Sequence, residues 1–465
     1  MTETTKSEEI AVSHSPAEKA PESSAINDDS NTVEKRKKRL GDDYVTIELS
    51  NPRIPSSADH TTTMALDMCK RVVLKPYLSF LKVPGWRSVF SLPYQSKLKR
   101  FANVVYPGLV VAVLLLGYVI QFAACYSRSH PAYEYDAEGR VSCYSHSITT
   151  YFIPDLLHLV TYFYCLYFFR IVQNEQLETL METTFLQSSF LQQKRGHPSQ
   201  NRLTSSIRWF LWAGICWIVA SLVAQTLGVA GRAVEHNRTT SGDIEFTWMG
   251  IKDQPTQWGL AALMLLAFVM LDIVYIAVVV NYVTQCNLLI FLIHGLNDRL
   301  KEKTKTYDFQ KAIKEYTQTG TFVRALNSEM GIAVSLLEFN FGTLAISAFL
   351  SLGDNPKGLV LASTILSIVL WTFLALLPFF YAARVSSAFE TIRKVGIRIR
   401  TRPFGYQDVD QQDLDSFLLF TMAFRPRAKI FRIPVMAPYV WGFIVITCFI
   451  VIILGQHSVL PSGVF

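Results

Sequence analysis

Apolar positions along the 465-residue chain gather into seven long runs, at residues 102–124, 148–169, 209–230, 258–293, 331–352, 358–383 and 434–454. Each holds at least the ~18 predominantly apolar residues that a helix needs to cross about 30 Å of hydrocarbon at about 1.5 Å per residue. The pattern predicts an all-α membrane protein with seven transmembrane helices, the second interrupted by Pro154, Asp155 and His158. The fourth run has 36 residues. An unbroken helix of that length measures about 54 Å and projects beyond the bilayer. Two basic segments between later runs, 298–324 and 384–432, keep apolar positions at helical spacing: Phe309, Ile313, Phe322 and Leu326 in one, Leu414, Phe417, Leu418 and Phe424 in the other. With the long fourth run they build a cytoplasmic helical bundle; the competing reading lays them on anionic lipid.

Ahead of the first run the pattern changes twice. Residues 1–60 are rich in Ser, Thr, Glu, Lys and Pro and poor in aromatics, so they bury too little apolar surface to offset the entropy of ordering and read as a disordered cytoplasmic tail. No apolar core follows a basic start there, so the first span is expected to direct insertion. Residues 61–101 interleave Leu74, Tyr77, Leu78, Phe80 and Leu81 with Lys70, Arg71, Lys75 and Lys82, which predicts an amphipathic helix lying on the membrane or packed on its cytoplasmic side. Residues 102–465 form the membrane domain.

Composition narrows the function classes. Hydrophobic residues make up 50% of the chain and charged residues 17%, below the about 25% of soluble proteins, and this excludes a soluble globular enzyme. The net charge of +7 would speak for nucleic acid only as a patch on a soluble surface, and here the charges sort by loop. The seven Cys show no CxxC spacing, and neither GxSxG nor GxxxxGK[ST] occurs. No carboxylate pair has the company needed for general acid/base work. The expectation is therefore no enzyme, no cofactor, no metal and no nucleic-acid partner.

Of the 44 Lys and Arg, 38 fall in segments that face one side under this topology and 6 in segments facing the other. Cytoplasmic segments retain Lys and Arg, so the amino terminus is placed inside and the 455–465 tail outside. The sequon Asn237-Arg238-Thr239 then lies in an outside loop, open to glycosylation. Cys125 and Cys143 border the first outside loop, where they form a disulfide or remain two buried thiols. A G-protein-coupled receptor has the opposite orientation.

Three local features resemble the insect odorant and gustatory receptor superfamily and its gustatory-receptor-like relatives. Leu74-Lys75-Pro76-Tyr77 leading to Leu81-Lys82-Val83-Pro84-Gly85 is similar to the family's amino-terminal helix and turn. The long fourth span with its basic inner loops is similar to the family's cytoplasmic anchor. The last span ends in Thr447-Cys448-Phe449-Ile450-Val451-Ile452-Ile453-Leu454-Gly455-Gln456, a degenerate form of the closing Thr-Tyr, five apolar residues, Gln-Phe; Cys448 replaces the Tyr, and Gln456 lies two positions late. The resemblance implies a plasma-membrane, ligand-gated cation channel. Four copies of the last helix would surround one pore in a homotetramer, and a small-molecule pocket would lie in the outer half of each subunit, amid membrane lipid.

Within the last span Phe449, Ile453 and Gln456 share or border one helical face, so on the family reading Ile453 is the hydrophobic gate and Gln456 the polar ring; an ordinary lipid- or core-facing helix is the alternative. Asp155 and His158, three apart in the outer half of the second span, line a wet ligand cavity with Tyr151, Tyr162 and Gln225, or else satisfy each other and fix helix packing. Tyr275 and Trp371 sit at depths where they line a pocket or pack as core. Asp272 and Glu338 tie helices together or face a cytoplasmic vestibule. A secondary transporter would use Asp155, Asp272 and Glu338 as coupling sites, but no internal repeat supports it. A non-conducting scaffold or lipid-binding relative is the remaining alternative.

Overall fold

The fourth apolar run becomes the most buried of the long helices. In a computed structural model it is a single 48-residue helix, Gln254–Lys301, about 72 Å long at 1.5 Å per residue. The structure describes residues 67, 69–89, 97–123, 126, 134–135, 141–142, 151–172, 176–195, 199–239, 254–301, 309–350, 352, 358–401, 411–442, 444–446 and 449. All of them belong to the unit Pro55–Phe465. The 1–60 tail and the 455–465 tail lie outside the described residues, as does the rest of the 61–101 segment beyond 67, 69–89 and 97–101.

In chain order the elements are α1 (Lys75–Lys82), preceded by the π-helical turn Cys69–Leu74; α2 (Lys97–Ala123); the ladder β1 (Glu134–Tyr135) with β2 (Val141–Ser142); α3 (Ile153–Leu166), continued by the π-helical turn Tyr167–Ile171; and α4 (Gln176–Arg195). There follow α5 (Ser199–Thr239), α6 (Gln254–Lys301), α7 (Phe309–Leu350), α8 (Gly358–Arg400), α9 (Gln411–Ala423), and the ladder β3 (Lys429–Ile430) with β4 (Ile433–Pro434). A short apolar helix, α10 (Ala437–Ile446), comes last. Helix α6 packs against α2, α4, α5, α7 and α8. Most residues from Leu271 to Leu296 are buried.

Among the described residues, five helical stretches are long and apolar enough to cross a membrane: Lys97–Phe122, Asn201–Gly231, Trp258–Lys301, Phe309–Phe349 and Gly358–Arg398. Ile153–Ile171 with Gln176–Gln187, bent by 68°, makes a sixth when taken as one broken span. This is a multi-pass membrane protein. Of the seventh run, 434–454, the described residues are 434–442, 444–446 and 449, and they include the short helix α10.

The described residues of the two basic segments are largely helical and mostly continue the spans: α6 runs on to Lys301, α7 begins at Phe309 and α8 continues to Arg400, while α9 is a separate helix within 384–432. The apolar face that meets lipid in mid-span gives way to a polar one, while the face that meets the bundle stays apolar through Ala312, Tyr316 and Val323 on α7 and Ala388, Phe389 and Ile392 on α8. Helix α9 packs on both through Leu414, Phe417 and Leu418, and Arg299 pairs with Glu315 at 2.6 Å to tie α6 to α7.

Two small devices set the ends. Helix α1 is packed rather than laid on a surface: Tyr77 and Leu81 are buried, and the Tyr77 hydroxyl donates to Asn281 Oδ1 on α6 at 2.6 Å. Its chain then turns through Gly85 at φ +78°, where a Cβ would meet Pro107 at 3.3 Å. Near the other end, Asn327 Nδ2 donates to Arg427 O, Asn327 Oδ1 accepts from Lys429 N, and Ser335 Oγ accepts from Phe431 N, each at 2.8 Å. These bonds hang the β3–β4 ladder on α7 and aim the chain into the last apolar run.

Candidate functional site

The residues singled out for a ligand pocket divide into one joined cluster and several separate ones. Helix α3 carries His158 inward, fully buried, between α2 and α6. Its Nε2 lies 3.3 Å from Leu271 O. A carbonyl oxygen only accepts, so Nε2 carries a proton; in the neutral ring Nδ1 then accepts from the Tyr118 hydroxyl at 2.5 Å. The imidazole also packs on Tyr275, ring centroids 4.4 Å apart at 67°.

Tyr275 is the hub. Its ring meets Phe341 at 5.2 Å and Trp371 at 5.7 Å, and Trp371 in turn meets Phe341 at 6.1 Å and Trp217 at 5.4 Å. Asn340 Nδ2 donates to the Tyr275 hydroxyl at 2.9 Å and to Pro154 O at 3.2 Å. The Trp217 indole donates to Leu370 O at 3.3 Å. Six helices, α2, α3, α5, α6, α7 and α8, thus meet through aromatic faces and buried polar groups. Asn340 is fully buried, and its Oδ1 has no hydrogen-bond partner among the described residues. An amide oxygen left without a donor in a low-dielectric interior is costly, and a guest bearing a hydroxyl or N–H satisfies it.

The other pocket residues go elsewhere. Tyr151 sets its ring edge-on to Phe122 at 6.1 Å. Asp155 is half-buried, one turn before His158 on α3. Gln225 is 2% exposed and takes the Tyr126 hydroxyl on its side-chain oxygen at 2.9 Å; Ser363 Oγ donates to the neighbouring Ala224 O at 2.7 Å. Tyr162, one turn after His158, donates to Pro84 O at 3.0 Å and packs on the turn after α1. There Tyr106 donates to Val83 O at 2.7 Å, and Arg170 donates to Gly85 O at 2.9 Å and also to Asn103 O. Three successive carbonyls are held by side chains from α2 and α3, while Trp86 is buried against Phe169 at 5.7 Å. The Leu81–Gly85 motif therefore has a structural role: it pins α1 beneath the bundle.

Phe449 is 63% exposed, and Ile453 and Gln456 lie outside the described residues, so no pore geometry enters the site. Cys125 and Cys143 also lie outside them, and the Asn237 side chain is outside the description although its backbone belongs to α5. Asp272 and Glu338 are both buried, and Glu338 Oε1 has no hydrogen-bond partner among the described residues. Among the described residues, no three His, Cys, Asp or Glu side chains gather as a metal site. Sequence reasoning missed Tyr118, Trp217, Asn340 and Phe341. Asn340 had a usable signal, as an amide within the fifth apolar run; the aromatic residues had none beyond their abundance.

No protein-family model matches the chain, and no curated protein sequence does. Solved structures do match. The chain is similar to the insect olfactory receptor OR5 from Machilis hrabei in complex with eugenol, with a TM-score of 0.56 at 12% identity over 85% of this chain and 99% of that one. It is also similar to a second structure of the insect olfactory receptor OR5 from Machilis hrabei, with a TM-score of 0.55 at 14% identity over 84% of this chain and 98% of that one. The resemblance drawn from the sequence holds at the level of the fold: this chain has the fold of an insect olfactory receptor.

Proposed function

We propose, with that shared fold as premise, that the chain is the subunit of a small-molecule chemosensory receptor, gustatory-receptor-like, that works as a ligand-gated cation channel. The observation carrying the reading is the Tyr275 cluster: aromatic faces beside a buried amide whose oxygen has no donor among the described residues, where several helices meet. Such a site takes an uncharged amphiphile with one hydroxyl or N–H and an aromatic or aliphatic body. The fold neighbour in complex with eugenol, a small phenolic molecule, supports that class of guest.

On this reading the chain crosses the plasma membrane seven times, with residues 1–60 a cytoplasmic tail, 61–101 the amphipathic amino-terminal region and 102–465 the channel domain. The amino terminus is inside and the carboxyl terminus outside, Asn237 is glycosylated, and four copies assemble with residues 434–454 around a central pore. Asp155, His158, Tyr151, Gln225, Tyr275 and Trp371 shape the pocket and its approach, and Ile453 closes the pore by excluding water. Guest binding drives opening only by as much as it favours the open arrangement over the closed one. Whole-cell recording tests this: cells displaying the chain at their surface should pass cation current when a panel of small phenols and related amphiphiles is perfused. Surface-expressed tetramers that stay silent across the panel would favour the non-conducting scaffold instead.

A further inference from the structure

A groove of about 510 Å³ opens on the flank of the bundle where α5 changes from polar to apolar, lined by Asn201, Arg202, Ser205, Ser206, Trp209 and Phe210, with Tyr381 of α8 opposite. Arg202, Ser205 or Ser206, and Trp209 follow at helical spacing, so one face of α5 presents a guanidinium, hydroxyls and an indole in succession. Phe210 packs edge-on to Tyr381 at 5.4 Å and closes the floor. Ser206 Oγ accepts from Asn287 Nδ2 at 3.1 Å, which anchors the polar wall to α6.

Two further observations select the occupant. The charge is of one sign: Arg202 has no ion-pair partner among the described residues, Arg384 stacks over Tyr381 with Cζ 5.5 Å from the ring, and the groove lining contains no Asp or Glu. The apolar part faces outward: Trp209 and Trp212 are 64% and 65% exposed at the first turns of an apolar run, the position where indoles mark the boundary between headgroups and acyl chains. Basic pockets between spans at that depth fit phosphate-bearing headgroups.

We propose that this groove binds an anionic phospholipid of the surrounding leaflet. Its phosphate would sit on Arg202 with Asn201 and Ser205 as further donors, and its first acyl methylenes would lie along Trp209, Phe210 and Tyr381. The inference rests on α5 crossing the membrane with its 199–208 end at the headgroups, and not on conduction. The full chain, reconstituted in nanodiscs and released into mild detergent, should retain phosphatidic acid over phosphatidylcholine by native mass spectrometry. Arg202→Gln should lower that retention about fivefold, the loss expected for one basic residue at a lipid surface, and Arg202→Lys should keep most of it. Where Arg202→Gln yields too little protein, brominated lipids give an independent reading in the wild type. The emission lost in Trp209→Phe should be quenched more by brominated phosphatidic acid than by brominated phosphatidylcholine. Equal retention of the two lipids, equal quenching, or displacement of bound lipid by soluble glycerol phosphate alone would overturn the proposal. A silent channel that retains phosphatidic acid through Arg202 would overturn the receptor reading and leave this one standing.

Discussion

Trp371 offers the sharpest test of whether the Tyr275 cluster is a latent cavity. The indole is 1% exposed and touches three other rings, at 5.4, 5.7 and 6.1 Å. Three aromatic pairs at about 0.5–1.5 kcal/mol each sum to roughly 2–4 kcal/mol. Truncating a buried large aromatic to Ala costs about 3–5 kcal/mol by cavity formation. The two routes agree on a loss of about 3 kcal/mol for Trp371→Ala. The void would be apolar on the Phe341 and Trp217 sides and would have the Tyr275 hydroxyl and the Asn340 amide nearby, so an added aromatic of the lost shape should refill it. Detergent-solubilised variant and wild type can be heated and assayed for monodisperse protein by fluorescence-detected size exclusion, with and without indole. The variant should melt well below wild type, and indole at about a hundred times its dissociation constant should restore about 2.7 kcal/mol of the loss while leaving wild type unmoved. A variant that melts with wild type, or one that indole does not rescue, would refute the idea that these rings enclose a space fit for a guest.

Tyr77 predicts a pH dependence. Burial raises its hydroxyl well above the ordinary tyrosine value, only partly opposed by the charge of Arg87. The folded state therefore holds the proton more tightly than the unfolded one, and its contribution is complete below the unfolded value of about 10 and lost as pH climbs above it. Melting curves should fall above about pH 10 in the wild type, and more shallowly in Tyr77→Phe, which also melts lower at neutral pH by the worth of one buried hydrogen bond, about 1 kcal/mol; parallel curves would contradict this. Gly85→Ala forces a side chain into positive φ against Pro107 and should cost about 1–3 kcal/mol, read as earlier melting; an unchanged midpoint would show that the turn relaxes freely. Ile453→Ser should yield a standing leak in unstimulated cells, and an unaltered resting conductance would move the gate elsewhere in the last run.

Much of the fold was legible because lipid and protein impose different patterns. The fourth run, 36 residues long, predicts an unbroken helix longer than a bilayer needs, and α6 is a single 48-residue helix. The inner ends of α7 and α8 were harder, because leaving the membrane changes only the outward face and leaves the helix unbroken at Tyr316 and Phe389. At the candidate site, His158, Tyr275 and Trp371 stood out as polar or aromatic residues within spans, and the structure joins them. Tyr162 stood out for the same reason, yet a single turn of α3 carries it from the aromatic cluster to the carbonyl of Pro84. That difference of one turn depends on where α1 packs, which no local spacing encodes. Asn340 reaches partners 65 and 186 residues away, a long-range pairing that periodicity leaves open.

The central claim is that four copies of this chain surround one ligand-gated pore. Cryo-microscopy of the full-length protein in nanodiscs tests it directly: the account predicts a fourfold particle with residues 446–456 of every copy along the symmetry axis. A monomer, or an assembly whose axis is lined by other helices, would contradict it.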